Sequence, residues 1–204
     1  MAGEGHGILR QTKRTMLITL AMLAALAPLP AAAGEVSFKA SGEVTYNVLL
    51  AGGDESNEMK IWLTPDGRTY VIDSIVPLEV GGTVCANASG NPNELICQAV
   101  NVAAFEVNAG GGDDRVKVAT EVKVPVAMRG GPGRDALVGG SGPDKLFGGP
   151  LGDKLIGNDG DDVLIGGDGY DALFGGNGDD VLKGGPGPDN VLGGPGRNQV
   201  QQDD

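Results

Sequence analysis

Histidine, cysteine and aromatic residues are all scarce in this chain. Its 204 residues hold one histidine, His6, and two cysteines, Cys85 and Cys97. A lone imidazole at the extreme amino terminus leaves the rest of the chain without a Ser-His-Asp triad, a Cys-His pair or a histidine-ligated zinc site. The nearest approach to a nucleophile elbow, Gly139-Gly140-Ser141-Gly142-Pro143, has proline where that motif needs glycine. There is no phosphate-binding G-x-x-x-x-G-K-[ST] loop and no EF-hand loop. These gaps point away from catalysis and leave a carboxylate-only hydrolase as the enzymatic alternative. Aromatics make up 4% of the chain, so there is little large apolar surface from which to build a thick core. Basic residues are also short, 15 against 27 acids for a net charge of −12, which argues against nucleic acid and anionic membrane as partners. Glycine is plentiful, at 37 residues. With no strict third-residue period that excludes collagen, and it leaves a low-complexity chain or a repeat fold.

The first thirty-three residues read as an export signal. Arg10, Lys13 and Arg14 form a basic flank, Met16 to Leu29 is an apolar run broken by Thr19 and Pro28, and Ala31-Ala32-Ala33 fits a small-residue cleavage pattern. The run is too short for a good membrane span, so no membrane insertion of the mature chain is expected. Cleavage after Ala33 would remove one acid, Glu4, and three bases, taking the charge from −12 to −14. In an exported chain, the pair Cys85 and Cys97 favours a disulfide closing a short loop.

Self-similarity dominates the second half. From Gly130 the chain divides into consecutive nonapeptides: GGPGRDALV, GGSGPDKLF, GGPLGDKLI, GNDGDDVLI, GGDGYDALF, GGNGDDVLK, GGPGPDNVL and GGPGRNQVQ. Aspartate recurs every nine residues, at Asp135, Asp144, Asp153, Asp162, Asp171, Asp180 and Asp189, and Asn198 takes the eighth place. An aliphatic follows each two residues later, from Leu137 to Val200. A looser copy runs from Ala109 to Lys117 and includes Asp114. A disordered Gly-Pro-Asp linker would not hold that phase, although its composition would be similar.

The nonapeptides resemble the RTX, or haemolysin-type calcium-binding, consensus GGxGxDxUx, closely over 130–201 and loosely over 109–117. The resemblance implies an all-β, right-handed parallel β-roll, a β-solenoid with two repeats per turn, each repeat a six-residue turn and a three-residue strand. Several Ca2+ ions would lie between stacked turns. Calcium takes six to eight oxygens, which a single aspartate cannot supply but a carboxylate and carbonyls from two turns can. The expected ligands are Asp114, Asp135, Asp144, Asp153, Asp162, Asp171, Asp180 and Asp189. The turn glycines Gly133, Gly142, Gly160, Gly169, Gly178 and Gly187 are expected to free the backbone carbonyls to converge. Residues 130–204 carry thirteen acids against five bases. Repelling aspartates and one small aliphatic per repeat cannot offset the chain entropy, so calcium should drive folding.

Two repeats per turn place Asp144, Asp162, Asp180 and Asn198 on one edge, and Asp135, Asp153, Asp171 and Asp189 on the other. The pair Asp162 and Asp180 should form the tightest site. The Asp153 loop should be weakest, because Leu151 replaces its fourth-position glycine, and Asn198 should end the array. Val138, Ile156, Phe174 and Leu192 should form one outward row, either ordinary solenoid wall or a contact for a protein partner or a second subunit. Residues 34–104 read as a β-rich segment, with a hairpin at Pro65-Asp66-Gly67-Arg68, and are either a small domain or early coils that cap a roll spanning 105–201. The chain ends in Gln199-Val200-Gln201-Gln202-Asp203-Asp204 without a carboxyl-terminal export signal, which with the amino-terminal one suggests Sec-type secretion. The expected function is that of an extracellular calcium-stabilised structural or binding module, with an adhesin-like surface protein as the alternative.

Overall fold

A computed structural model describes residues 34–41, 45–51, 54–74, 78–80, 85–88, 91–99 and 102–203. The expected export signal, 1–33, lies outside them. The described chain is all-β, a parallel β-solenoid of about six turns built from two nine-stranded sheets.

The regular coils follow from the nonapeptide. Strands alternate between the sheets: β12 (Lys145–Pro150), β14 (Val163–Asp168), β16 (Val181–Pro186) and β18 (Gln199–Asp203) stack in one. In the other stack β11 (Ala136–Val138), β13 (Lys154–Asp159), β15 (Ala172–Asn177) and β17 (Asn190–Leu192). Each residue pairs with the one eighteen positions on, as in Leu146↔Leu164↔Leu182↔Val200 and Leu137↔Leu155↔Leu173↔Val191. Side chains alternate along a strand, so the aliphatic two residues after each aspartate points inward. Leu137, Leu146, Leu155, Leu164, Leu173 and Leu182 are all fully buried. The core is therefore two facing ladders, one per sheet.

One local expectation needs revision. The central strands are six residues long rather than three, because pairing continues into the following turn, as at Gly149↔Gly167 and Pro150↔Asp168. Glycines at the second and fourth turn positions permit this close approach. Gly176 has φ +117, and a Cβ there would run into the Asn158 carbonyl of the preceding coil.

Both sheets continue toward the amino terminus. β8 (Val102–Asn108) and β10 (Val126–Arg129) extend the first, and β9 (Arg115–Val118) the second. Here the coil is longer: Met128 pairs with Val107 and Leu137 with Val116, twenty-one residues apart. β2 (Thr45–Ala51) and β3 (Glu58–Leu63) form one coil more, parallel to β8 and β9, with Met59 opposite Val116.

Between β3 and β8 the chain makes antiparallel strands that continue the sheets. β4 (Thr69–Ser74) returns along β3 through the expected hairpin, with Gly67 at φ +70 and the Asp66 carboxylate accepting from the Thr64 hydroxyl at 2.6 Å. β7 (Asn91–Gln98) pairs with β4, and β6 (Cys85–Ala88) with β7. On the other sheet β1 (Gly34–Ser41) runs antiparallel to β2, with β5 (Leu78–Val80) beside it. Met59, Ile61, Tyr70, Ile72, Leu95 and Phe105 give this end a broader core, with Tyr70 meeting Phe105 edge to face at 5.1 Å.

Candidate metal sites

The aspartates of the two edges stack into ladders. Asp162 Oδ1 accepts the backbone N–H of Asp144 at 2.8 Å, Asp180 Oδ1 that of Asp162 at 2.9 Å, and Asn198 Oδ1 that of Asp180 at 2.9 Å. On the opposite edge Asp135, Asp153, Asp171 and Asp189 accept from Asp114, Asp135, Asp153 and Asp171 at 2.7–2.9 Å. One carboxylate oxygen of each aspartate therefore ties its coil to the coil before.

The second oxygen is left over. Oδ2 of Asp114, Asp135, Asp153, Asp162, Asp171, Asp180 and Asp189 is buried and has no hydrogen-bond partner. Leaving a buried carboxylate oxygen unmatched is costly, and seven repeats of it point to a ligand. In the six turns from Asp135, Asp153, Asp162, Asp171, Asp180 and Asp189, Oδ2 occupies the space that a Cβ would take on the first glycine of the same turn. A Cβ on Gly157 would strike Asp162 Oδ2 and come within 2.5 Å of the Gly175 carbonyl oxygen of the next coil. Gly148, Gly166 and Gly175 have the same surroundings, formed by Asp153, Asp171 and Asp180 with the carbonyls of Gly166, Gly184 and Gly193. The absent side chain leaves a cradle lined by one carboxylate oxygen and a carbonyl.

This donor set suits a hard divalent cation. Among the described residues no three acidic, histidine or cysteine side chains converge, so an ion held here would take the rest of its shell from carbonyls, as calcium does. Burial pushes Asp153 and Asp162 up to about 7 and Asp114 and Asp144 up to about 6, and it raises Asp135, Asp171 and Asp180 as well. Neighbouring carboxylates add to the rise at all of these but Asp144, whereas the ladder hydrogen bonds oppose it. A cation between the turns would offset both by stabilising the charged carboxylates.

The expected ligands do not behave identically. Asp144 Oδ2 accepts the N–H of Gly140 at 2.7 Å, and the Gly139 carbonyl accepts from the Asn158 amide at 2.7 Å. The interval between the Asp144 and Asp162 turns is thus satisfied by the protein itself. The fourth-position glycines Gly133, Gly142, Gly160, Gly169, Gly178 and Gly187 serve coil stacking, because a Cβ on any of them would run into a backbone oxygen of the coil before. Leu151, in the one nonapeptide of 130–201 lacking that glycine, takes φ +77, and Asp153 keeps both of its ladder bonds. The first-position glycines, which sequence reasoning passed over, are the ones facing the carboxylates.

Both ladders end in an amide. Asn198 turns its Nδ2 toward the Gly194 carbonyl at 2.8 Å, placing a donor where the aspartates have an oxygen. At the other end stands Asn57, whose backbone N–H donates to Asp114 Oδ1 at 2.6 Å. Its Nδ2 donates to the carbonyls of Glu55 and Ala109 and to Asp114 Oδ1 at 2.6, 2.9 and 3.1 Å. Sequence reasoning missed this turn. Its signal is GGDESNEMK at 52–60, with Asn57 and Met59 at the aspartate and aliphatic offsets.

Comparison with known proteins agrees with this geometry. Residues 129–150, 152–173 and 171–200 match the family model for the RTX calcium-binding nonapeptide repeat, a model of four copies. No curated protein and no solved structure matches the chain. The stacked turns of residues 129–200, with their buried carboxylate ladders, are RTX calcium-binding nonapeptide repeats.

Proposed function

We propose that calcium ions taken up between stacked turns drive the folding of the roll, and that the folded roll serves as an extracellular structural or binding module. The observation that carries this reading is the set of seven buried, unpartnered Oδ2 atoms. Without a cation the folded state must hold these groups desolvated beside one another; with one, binding free energy becomes folding free energy. The tightest site is assigned to the Asp162–Asp180 interval, where Asp162 Oδ2 is unmatched and Asp159, Asp161 and Asp179 add negative charge nearby. The Asp153 interval is assigned as weaker because Leu151 strains its turn. Circular dichroism of the chain lacking residues 1–33 tests the reading. Calcium should increase the β signal and a chelator should reverse that increase. Equal β content in both conditions would refute the coupling.

Secretion, implied by the basic and apolar segment before Ala33, also suits a Cys85–Cys97 disulfide. The two cysteines are directly opposite in the β6–β7 pairing, and Cys97 is fully buried. Mass spectrometry of non-reduced peptides decides it: alkylation of both thiols under oxidising conditions would remove the claim.

A second reading, contact with a partner protein, is favoured by one row on the outer face. Val138, Ile156, Phe174 and Leu192 are in direct register across β11, β13, β15 and β17, and Leu192 is 54% exposed.

A further inference from the structure

The edge carrying Asp135, Asp153 and Asp171 departs from its own repeat at a single turn, and a cavity opens there. It measures about 400 Å³ and is lined by Arg134, Leu151, Gly152, Gly169 and Tyr170. Its size falls within the usual range for small-molecule sites. We propose that this slot binds an acidic saccharide unit, a six-membered sugar ring bearing a carboxylate or sulfate, held between Arg134 and Tyr170.

The slot arises from the exchange of two residues. At the fifth turn position, stacked coils carry Arg134, Gly152 and Tyr170 in succession, eighteen residues apart. The middle rung is bare and must remain so, because a Cβ on Gly152 would lie 2.7 Å from the Tyr170 carbonyl oxygen. Gly169 is equally constrained, against the Leu151 carbonyl, so two obligate glycines form the floor. With neighbouring strands about 4.8 Å apart, the Arg134 and Tyr170 rungs stand about 9.6 Å apart. A flat aromatic ring in carbon contact on both faces would fill about 7–8 Å of that gap, and a puckered saccharide ring about 1–2 Å more. The width favours the sugar.

The lining has the chemistry for such a ring. Leu151 and Tyr170 are 57% and 64% exposed, the two most exposed large apolar side chains among the described residues. Leu151 reaches its place only by adopting φ +77, a left-handed conformation that strains a residue with a β-carbon. The mostly exposed side chain offsets little of that strain by burial, and backbone strain of this kind clusters at binding sites. Arg134 uses its backbone N–H on Asp113 Oδ1, while its guanidinium makes no ion pair among the described residues. An unpaired guanidinium on so acidic a chain suits an anionic ligand. The Tyr170 ring takes the C–H face of the sugar, Leu151 its edge and Arg134 its acid group.

The test is isothermal titration of the calcium-loaded chain with a glucuronate-containing disaccharide, a sulfated disaccharide, a neutral disaccharide and benzoate. Circular dichroism of the same sample separates loss of folding from loss of binding. The charged sugars should bind, which of the two binds tighter identifying the acid group, and the neutral sugar and benzoate should bind at least tenfold more weakly. Arg134→Gln and Tyr170→Ala, both at exposed side chains, should each weaken charged-sugar binding at least tenfold without changing the calcium-induced β signal. Leu151→Gly relieves the strained φ, so it should raise the thermal midpoint in calcium while weakening the sugar severalfold. Binding of benzoate or the neutral sugar as tight as that of the charged sugars overturns the proposal. So does an unchanged affinity in Tyr170→Ala, or no binding of either charged sugar to a chain with its full β signal.

Discussion

Replacing Asp162 by asparagine separates the two tasks of one carboxylate. Asn198 already shows that asparagine can stand in the ladder, its Oδ1 accepting the N–H of Asp180. Asp162→Asn should therefore keep the bond from the Asp144 N–H and lose only the oxygen facing the cradle of Gly157 and Gly175. The effect should have opposite signs with and without metal. In the metal-free roll, Asp162 is pushed up to about 7 by burial and by the nearby carboxylates. Ionising it at pH 8 costs the fold up to about 4 kcal/mol, which screening through the open flank of the turn lowers to about 1–2 kcal/mol. The amide removes that cost, so the variant should be more stable than the parent in chelator. In calcium it should be less stable. The interval toward Asp144 is already satisfied by Gly140 and Asn158, so one site is lost, worth about 2.7 kcal/mol at a calcium concentration one hundred times its Kd. Urea denaturation followed by circular dichroism, at pH 8 in chelator and in calcium, measures both. A shift of the same sign in the two conditions would refute the assignment of Oδ2 to the metal.

The raised aspartates also set a pH dependence. Because the folded values of Asp114, Asp144, Asp153 and Asp162 lie above the ordinary carboxylate value, their contribution to the metal-free roll is fully present below about pH 4 and lost as pH rises through 6–7. The chelated protein should thus melt higher at pH 5 than at pH 8, and calcium affinity should climb across the same interval; a chelated melting point rising with pH would contradict this. Asp162→Ala should cost more calcium affinity than Asp153→Ala in parallel titrations, and the reverse order would show that Leu151 does not weaken its turn. Asn57→Asp exchanges an amide donor for a carboxylate beside the Ala109 carbonyl and Asp114, and should add one calcium per chain by equilibrium dialysis; an unchanged stoichiometry would mean the first turn lacks the remaining oxygens.

Legibility of the chain follows the range of each interaction. The nine-residue phase of aspartate and leucine carried the family resemblance, and that resemblance implied the parallel stacking with two repeats per turn and so the assignment of Asp144, Asp162 and Asp180 to one edge; strand alternation added the inward aliphatics. Those relations repeat every eighteen residues, and one register, once established, is propagated by every later coil. The row from Val138 to Leu192 was legible for the same reason. The strand-like alternation before residue 105 located β3, β4 and their hairpin, but not their relation to the roll.

What the sequence by itself determined is the nine-residue period of aspartate and aliphatic, because that depends only on spacing along the chain; the hard-cation site and the parity of its edges followed from the family resemblance that this period carries. Tertiary structure alone decided which oxygen of each aspartate is held by the ladder and which is left for a metal. It alone put Asn57 beneath Asp114, fifty-seven residues away, since a strand register across the β4–β7 excursion depends on three-dimensional pairing rather than on any local repeat. The fold also decided the fate of Leu151: the repeat marks it as a misfit, and in the stacked roll it takes a positive φ with its side chain turned outward.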